Sequence, residues 1–161
     1  MALVSLRIGL TPRIHLLTQS DARVLDRVAP GVFDNAIDER WASEFLADPR
    51  HHMAVALIDG EVVGMASAVH YLHPDKPAEL WINEVGVAPS HQSRGIGRQL
   101  LQALFARGRE LGCGEAWLGT EPGNIAARRM YAAIGGQEAA MVYVMFQLTG
   151  EAPGGNAENA S

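Results

Sequence analysis

The run NEVGVAPSHQSRGIGRQLL, from Asn83 to Leu101, constrains the fold more than any other part of the chain. It passes from an apolar extended segment through a turn holding Gly95 and Gly97 into a helix. Ile96, Leu100, Leu101, Leu104, Phe105 and Leu111 form the apolar stripe of that helix. Glycine weakens a helix by about 1 kcal/mol relative to alanine, so two at a helix start need a reason. A strand, a glycine turn and a helix N-terminus together make an anion site. Unpaired backbone N–H groups and the positive end of the helix dipole point the same way. The alternative is a plain helix start that tolerates its glycines.

Three phosphate motifs can be tested against this run. The P-loop pattern is absent. The dinucleotide fingerprint would need glycine at position 100, where Leu100 stands. The pattern Gln/Arg-x-x-Gly-x-Gly/Ala is complete as Gln92, Ser93, Arg94, Gly95, Ile96, Gly97.

The flanking sequence predicts a mixed α/β sheet in the order β-α-α-β-β-β-α-β-α-β. SLRIGL (Ser5 to Leu10) alternates as a first strand. Thr18 or Ser20 caps a helix over Asp21 to Val28, stopped by Pro30 and Gly31. A second helix runs from Asp38 to Ala47 with Trp41, Phe45 and Leu46 on one face. HMAVALIDGEVVGMASAVHYL is a hairpin turned by Asp59-Gly60. Glu79 to Val87 is a strand ended by Ala88-Pro89, and Glu115 to Thr120 is another. Asn124 to Gly135 is a helix, and Ala140 to Leu148 a final strand. Residues 1–149 read as one domain. The tail over 150–161 lacks apolar residues to dock and is expected to be disordered.

Composition narrows the partners. The chain of 161 residues is 48% apolar and 19% charged, with a net charge of −5. That is a soluble globular balance without a basic stripe, so nucleic acid is not an expected partner. The single cysteine, Cys113, cannot form an internal disulfide, and no His/Cys spacing predicts a metal. No run is long and apolar enough to span a membrane, and a cytoplasmic protein is expected.

With NEVGVAPSHQSRGIGRQLL and the downstream EPGNIAARRMYAAIGG together, the chain resembles the GNAT superfamily of acetyl-CoA-dependent N-acetyltransferases, from about residue 5 to 148. The resemblance implies a mostly antiparallel twisted sheet of six to seven strands flanked by about four helices. It also implies a splay between the fourth and fifth strands after Asn83. Acetyl-CoA is the implied cofactor. Backbone amides from Gln92 through Ser93, Arg94, Gly95, Ile96 and Gly97 would cradle its pyrophosphate, with Arg94 or Arg98 adding charge at the rim. Free backbone groups along Val85, Gly86 and Val87 would pair with the pantetheine arm like an extra strand. Asn124 and Tyr131 match a family pair two helical turns apart, the Asn on pantetheine and the Tyr near the thioester sulfur.

Amine acetylation needs a base for the amine, donors for the oxyanion and a proton for the thiolate. Tyr131 is the candidate acid, or else a half-buried Tyr packing on the sheet. Glu84, in the central strand, is the candidate base, because burial raises a carboxylate pKa; a structural carboxylate is the alternative. Glu121, at the mouth after the fifth strand, is a second acidic candidate, for binding the substrate. Asp34, Asp38 and Glu39 lie on the segment expected to wall an acceptor cleft, or cap a helix start. His70 is a candidate substrate contact.

Within GNAT the resemblance is greatest to the aminoglycoside 3-N-acetyltransferases, through FLADPRHHMAVALIDGEVVGMASAV and ELWINEVGVAPSHQSRGIG. A polycationic antibiotic suits a carboxylate-lined cleft. That group carries an acid near the end of the last strand, where Gln147 stands here. The acetylases of ribosomal protein N-termini carry their base where this chain has Gly119, which argues against that subgroup. Other acceptors are another small amine or a protein lysine or N-terminus; a non-catalytic acyl-CoA-binding module is a further reading. Paired subunits are common in the superfamily, so a homodimer is expected, with the last strand as an edge for pairing.

Overall fold

The computed structural model describes residues 11–148 of the chain. Its described sheet has five strands in sequence order: β1 (Arg13–Leu16), β2 (His51–Ile58), β3 (Glu61–Tyr71), β4 (Glu79–Val87) and β5 (Glu115–Leu118). The first three pairings are antiparallel and β4–β5 is parallel. Three α-helices accompany them: α1 (Glu39–Ala47), α2 (Ile96–Glu110) and α3 (Ile125–Ala133). A 3-10 helix spans Gln19–Asp26.

Local chemistry explains most boundaries. Asp59 and Gly60 both hold positive φ, 49° and 75°, as the tight β2–β3 turn demands. Asp38 accepts from the backbone N–H groups of Arg40 and Trp41 at 2.9 and 3.1 Å, so α1 begins where expected. The parallel neighbour β5 requires a crossover, which α2 supplies. Ile96, Leu100, Leu101 and Leu104 of α2 are at most 2% exposed against β2, β3 and β4. Each such burial stabilises by about 1.5–3 kcal/mol.

Several expectations are corrected. The helix predicted over Asp21 to Val28 is a 3-10 segment ending at Asp26, because Arg27 to Ala29 are drawn onto β3. Val62 N–H donates to the Arg27 carbonyl at 2.8 Å, and Ala29 N–H to the Val62 carbonyl at 2.9 Å. Trp41 is 64% exposed, while Phe45 and Leu46 pack inward. Ala140 to Leu148 is no strand: it pairs with nothing among the described residues and its side chains are exposed. The described sheet therefore has five strands rather than six or seven. The strand expected at Ser5 to Leu10, and the tail over 150–161, lie outside the described residues.

Candidate active site

One irregularity in β4 organises the site. Ser67 faces Glu84 in the β3–β4 register, but Ala68 faces Ile82, so Asn83 is an extra, bulged residue. A bulge inverts the side-chain alternation beyond it. Leu80 and Ile82 point toward α2, where Leu80 Cδ2 lies 3.1 Å from the Cβ position of Gly108. Past the bulge Val85 takes that direction, with Cγ1 3.8 Å from the Cβ position of Gly97. Glu84 is turned to the opposite face.

At the same point the sheet opens. β5 pairs with β4 over Glu79 to Ile82 only, though β4 continues to Val87. Ala88 N–H donates to the Val63 carbonyl of β3 at 2.9 Å. Alternation along the strand then sends the backbone groups of Val85 and Val87 toward the side that β5 has left. Gly86 faces the segment before α1: a Cβ there would sit 2.1 Å from the Val32 carbonyl oxygen.

The glycine turn follows. Ser93 and Gly95 both hold left-handed φ, 59° and 75°, and nothing lies within 4 Å of the Cβ position of Gly95. From Ser93 to Arg98 the backbone N–H groups have no acceptor among the described residues. They precede and open a helix of 15 residues, with Gly95 as its N-cap. This open nest of donors fits a pyrophosphate. Gly97 has a second reason for lacking a side chain: Met130 Sδ of α3 lies 3.0 Å from its Cβ position. Gln92 donates its side-chain amide to the Val87 carbonyl at 3.1 Å, tying the turn to the strand end. Arg94 and Arg98 are exposed at the rim.

Tyr131 and Met130 share the inward face of α3. Tyr131 is half-buried, and burial raises its phenol pKa. Asn124 caps the same helix, accepting from Ala127 N–H at 3.2 Å through Oδ1, which leaves its amide NH₂ free to donate. Glu84 is half-buried with no hydrogen-bond partner among the described residues; burial and then the nearby Asp34 carboxylate raise its pKa.

The remaining predicted residues divide. Asp38 is committed to capping α1. Glu39 lines a cavity of about 560 Å³ within residues 25–39; Asp34, Glu84 and Tyr131 are not among its lining residues. Glu121 is exposed just after β5. His70 does not join Glu84. It lies on the α2 face, with Nδ1 2.8 Å from Nε2 of buried His52. Burial, with His70 second, holds the His52 pKa at about 4. Cys113 is partly buried, and burial raises its thiol pKa, so it is a weak nucleophile.

Sequence reasoning did not bring Trp81 and Trp117 together. They are direct neighbours across β4 and β5, on the face that carries Glu84, and Trp117 is 46% exposed. Tryptophan at matching strand positions was a readable signal, but only the register made the pair.

Residues 21–135 match the Acetyltransferase (GNAT) family, and the chain belongs to it. It is accordingly an N-acetyltransferase that uses acetyl-CoA, which supplies an activated acetyl thioester. No helix among the described residues is long and apolar enough to cross a membrane. The N-alpha-acetyltransferase RimI of Mycobacterium tuberculosis is 32% identical over 143 residues, 85% of each chain. An aminoglycoside N(6')-acetyltransferase type 1 of Salmonella typhimurium is 30% identical over 93 residues, covering 54% of this chain and 64% of its own. In fold, the chain resembles an aminoglycoside acetyltransferase from an uncultured soil metagenomic sample, solved with sisomicin. The TM-score is 0.76 at 19% identity, over 86% of this chain and 97% of that one.

Proposed function

We propose that the chain acetylates a primary amine of a small polycationic acceptor of the aminoglycoside class, with Glu84 as base and Tyr131 as acid. The observation that carries the reading is Glu84, half-buried without a hydrogen-bond partner among the described residues, on the face opposite α2 at the opening between β4 and β5, with the Asp34 charge adding to its raised pKa. Two carboxylates near one another attract an ammonium group. The raised pKa of Glu84 brings it closer to the range in which a carboxylate accepts a proton from that group. Tyr131, kept protonated by its burial, is suited to deliver a proton to the departing thiolate. Backbone N–H groups over Ser93 to Arg98 would hold the pyrophosphate, the Val85 and Val87 backbone the pantetheine arm, and the Asn124 amide one of its carbonyls. The Trp81–Trp117 pair offers an apolar floor for the rings that carry the amine.

The 3-N position remains the regiochemistry suggested by the sequence resemblance. A protein α-amine is the second reading, supported by 32% identity to RimI over 85% of the chain. A thiol-release assay with acetyl-CoA separates the two. We expect turnover on aminoglycosides with a free 3-amino group, lost when that amine is blocked. Loss only on blocking the 6'-amine would move the site of transfer. Turnover confined to a peptide bearing a free N-terminal alanine would replace the aminoglycoside reading.

A further inference from the structure

Helix α3 carries Tyr131, yet no hydrogen bond among the described residues ties it to the sheet or to α2. Its bonds stay within residues 121–138. Ala127 N–H donates to Asn124, and Arg128 donates to the Pro122 carbonyl at 2.9 Å and to Glu138 at 2.8 and 2.7 Å. None of the nine residues of α3 is fully buried. What docks the helix is apolar packing by Met130, Tyr131 and, just past its end, Ile134. Apolar attraction is non-directional, so a helix held this way needs one contact of defined shape to fix its rotation.

Met130 supplies that contact. The Cβ position of Gly97 has Met130 Sδ at 3.0 Å, Met130 Cε at 3.5 Å and Val85 Cγ1 at 3.8 Å. Gly97 stands in the first turn of α2, and Val85 on β4 past the bulge. The glycine leaves a hollow that the thioether tip fills beside Val85. Three parts of the site meet there: the glycine turn, the splayed strand and the helix that carries the phenol. Met130 and Tyr131 are consecutive, so neither turns about the helix axis without the other. A rotation of about 10° carries a phenol oxygen about 9 Å from the axis through roughly 1.5 Å. A misplacement of about 1 Å can cost about 10²-fold in rate.

We propose that Met130 is a positioning residue: its thioether, seated in the hollow left by Gly97, sets the rotation of α3 and so the place of the Tyr131 hydroxyl beside the thioester sulfur. The inference rests on the reading of Tyr131 as the acid. Methionine suits the seat because an unbranched thioether adapts to an irregular gap, and leucine comes close to it in volume. The role differs from core packing in one respect, which is that it acts through Tyr131.

The test is a double-mutant cycle on the full chain, with acetyl-CoA and either sisomicin or the N-terminal alanine peptide, whichever turns over. Met130→Ala should lower kcat about thirtyfold, while the Kd of CoA by calorimetry changes less than about threefold. Met130→Leu should stay within about twofold of wild type. Tyr131→Phe should lower kcat about a hundredfold. Adding Met130→Ala to it should cost less than about a further twofold, since effects that pass through one group do not add. Met130→Val, which lacks the reach of the thioether, takes the place of Met130→Ala should that variant not fold. Additive losses in the double variant would overturn the proposal, as would wild-type kcat in Met130→Ala while Tyr131→Phe is slow; the Tyr131 reading would survive both. Wild-type kcat in Tyr131→Phe would overturn the two together.

Discussion

Glu79 and Glu84 stand on the same strand and the same face of the sheet, on either side of the Asn83 bulge, yet their surroundings are opposite. Glu79 is 7% exposed and saturated with partners: Tyr71 Oη donates to Oε2 at 2.8 Å, Lys76 Nζ donates to Oε1, and His73 Nε2 lies 3.5 Å from Oε2. Lys76 first, then Tyr71, holds its pKa below the usual carboxylate range. Glu84 has burial and the Asp34 carboxylate in place of donors, and its pKa moves up. A glutamate whose charge is fully satisfied secures a loop. One whose charge is left costly holds chemical potential for a proton.

The sharpest way to break this comparison is to neutralise both. Glu84→Gln should cut turnover by about 10²–10³-fold while leaving CoA affinity intact. It should also raise the melting temperature at neutral pH. A folded pKa above the unfolded one means that stability is lost as pH rises through it, and the variant escapes that loss. Wild-type turnover in Glu84→Gln would remove Glu84 from the mechanism.

The other face supplies a control for any pH profile. His52 titrates at about 4 when folded against 6.5 when free, so the unfolded chain binds the extra proton between those values. Stability should therefore fall as pH drops from 6.5 toward 4, by up to about 3 kcal/mol. Urea unfolding at pH 7 and pH 5 reads this directly, and His52→Phe should flatten the difference. Loss of activity on acidification belongs to Glu84 only where unfolding curves show the fold intact.

A smaller effect is expected from Gly86→Ala, whose Cβ would meet the Val32 carbonyl oxygen at 2.1 Å. The segment leading to Asp34 must shift, at a cost of about 1–3 kcal/mol in denaturant unfolding, with a higher acceptor KM. Asp34→Asn should move the acid limb of kcat/KM to lower pH by relieving Glu84. Glu79→Gln should change turnover least. Its melting temperature should drop at neutral pH, and that deficit should shrink on acidification, because a depressed carboxylate pKa stabilises above the unfolded value and loses its effect as pH falls. A large loss of kcat in Glu79→Gln would erase the distinction between the two glutamates.

What was legible at Gln92 to Gly97 was legible because the information is local: glycine positions, helix start and preceding strand are contiguous. The Asp59-Gly60 turn and the Asp38 cap were readable for the same reason. His70 was misjudged because its partner His52 lies 18 positions away and only strand pairing brings them together. The strand expected over Ala140 to Leu148 was misjudged for the same reason: its composition is strand-like, but a strand exists only when another edge accepts it.

From the sequence alone came the family, the glycine turn that opens α2 and the candidate residues Glu84 and Tyr131, since each rests on short-range spacing. Tertiary structure decided which way those residues point. Glu84 shares its parity with Leu80 and Ile82, and an unbroken strand would have turned it toward α2. The extra residue at Asn83 sends it to the face that carries Asp34, because a ladder counts pairs across strands and not positions along one.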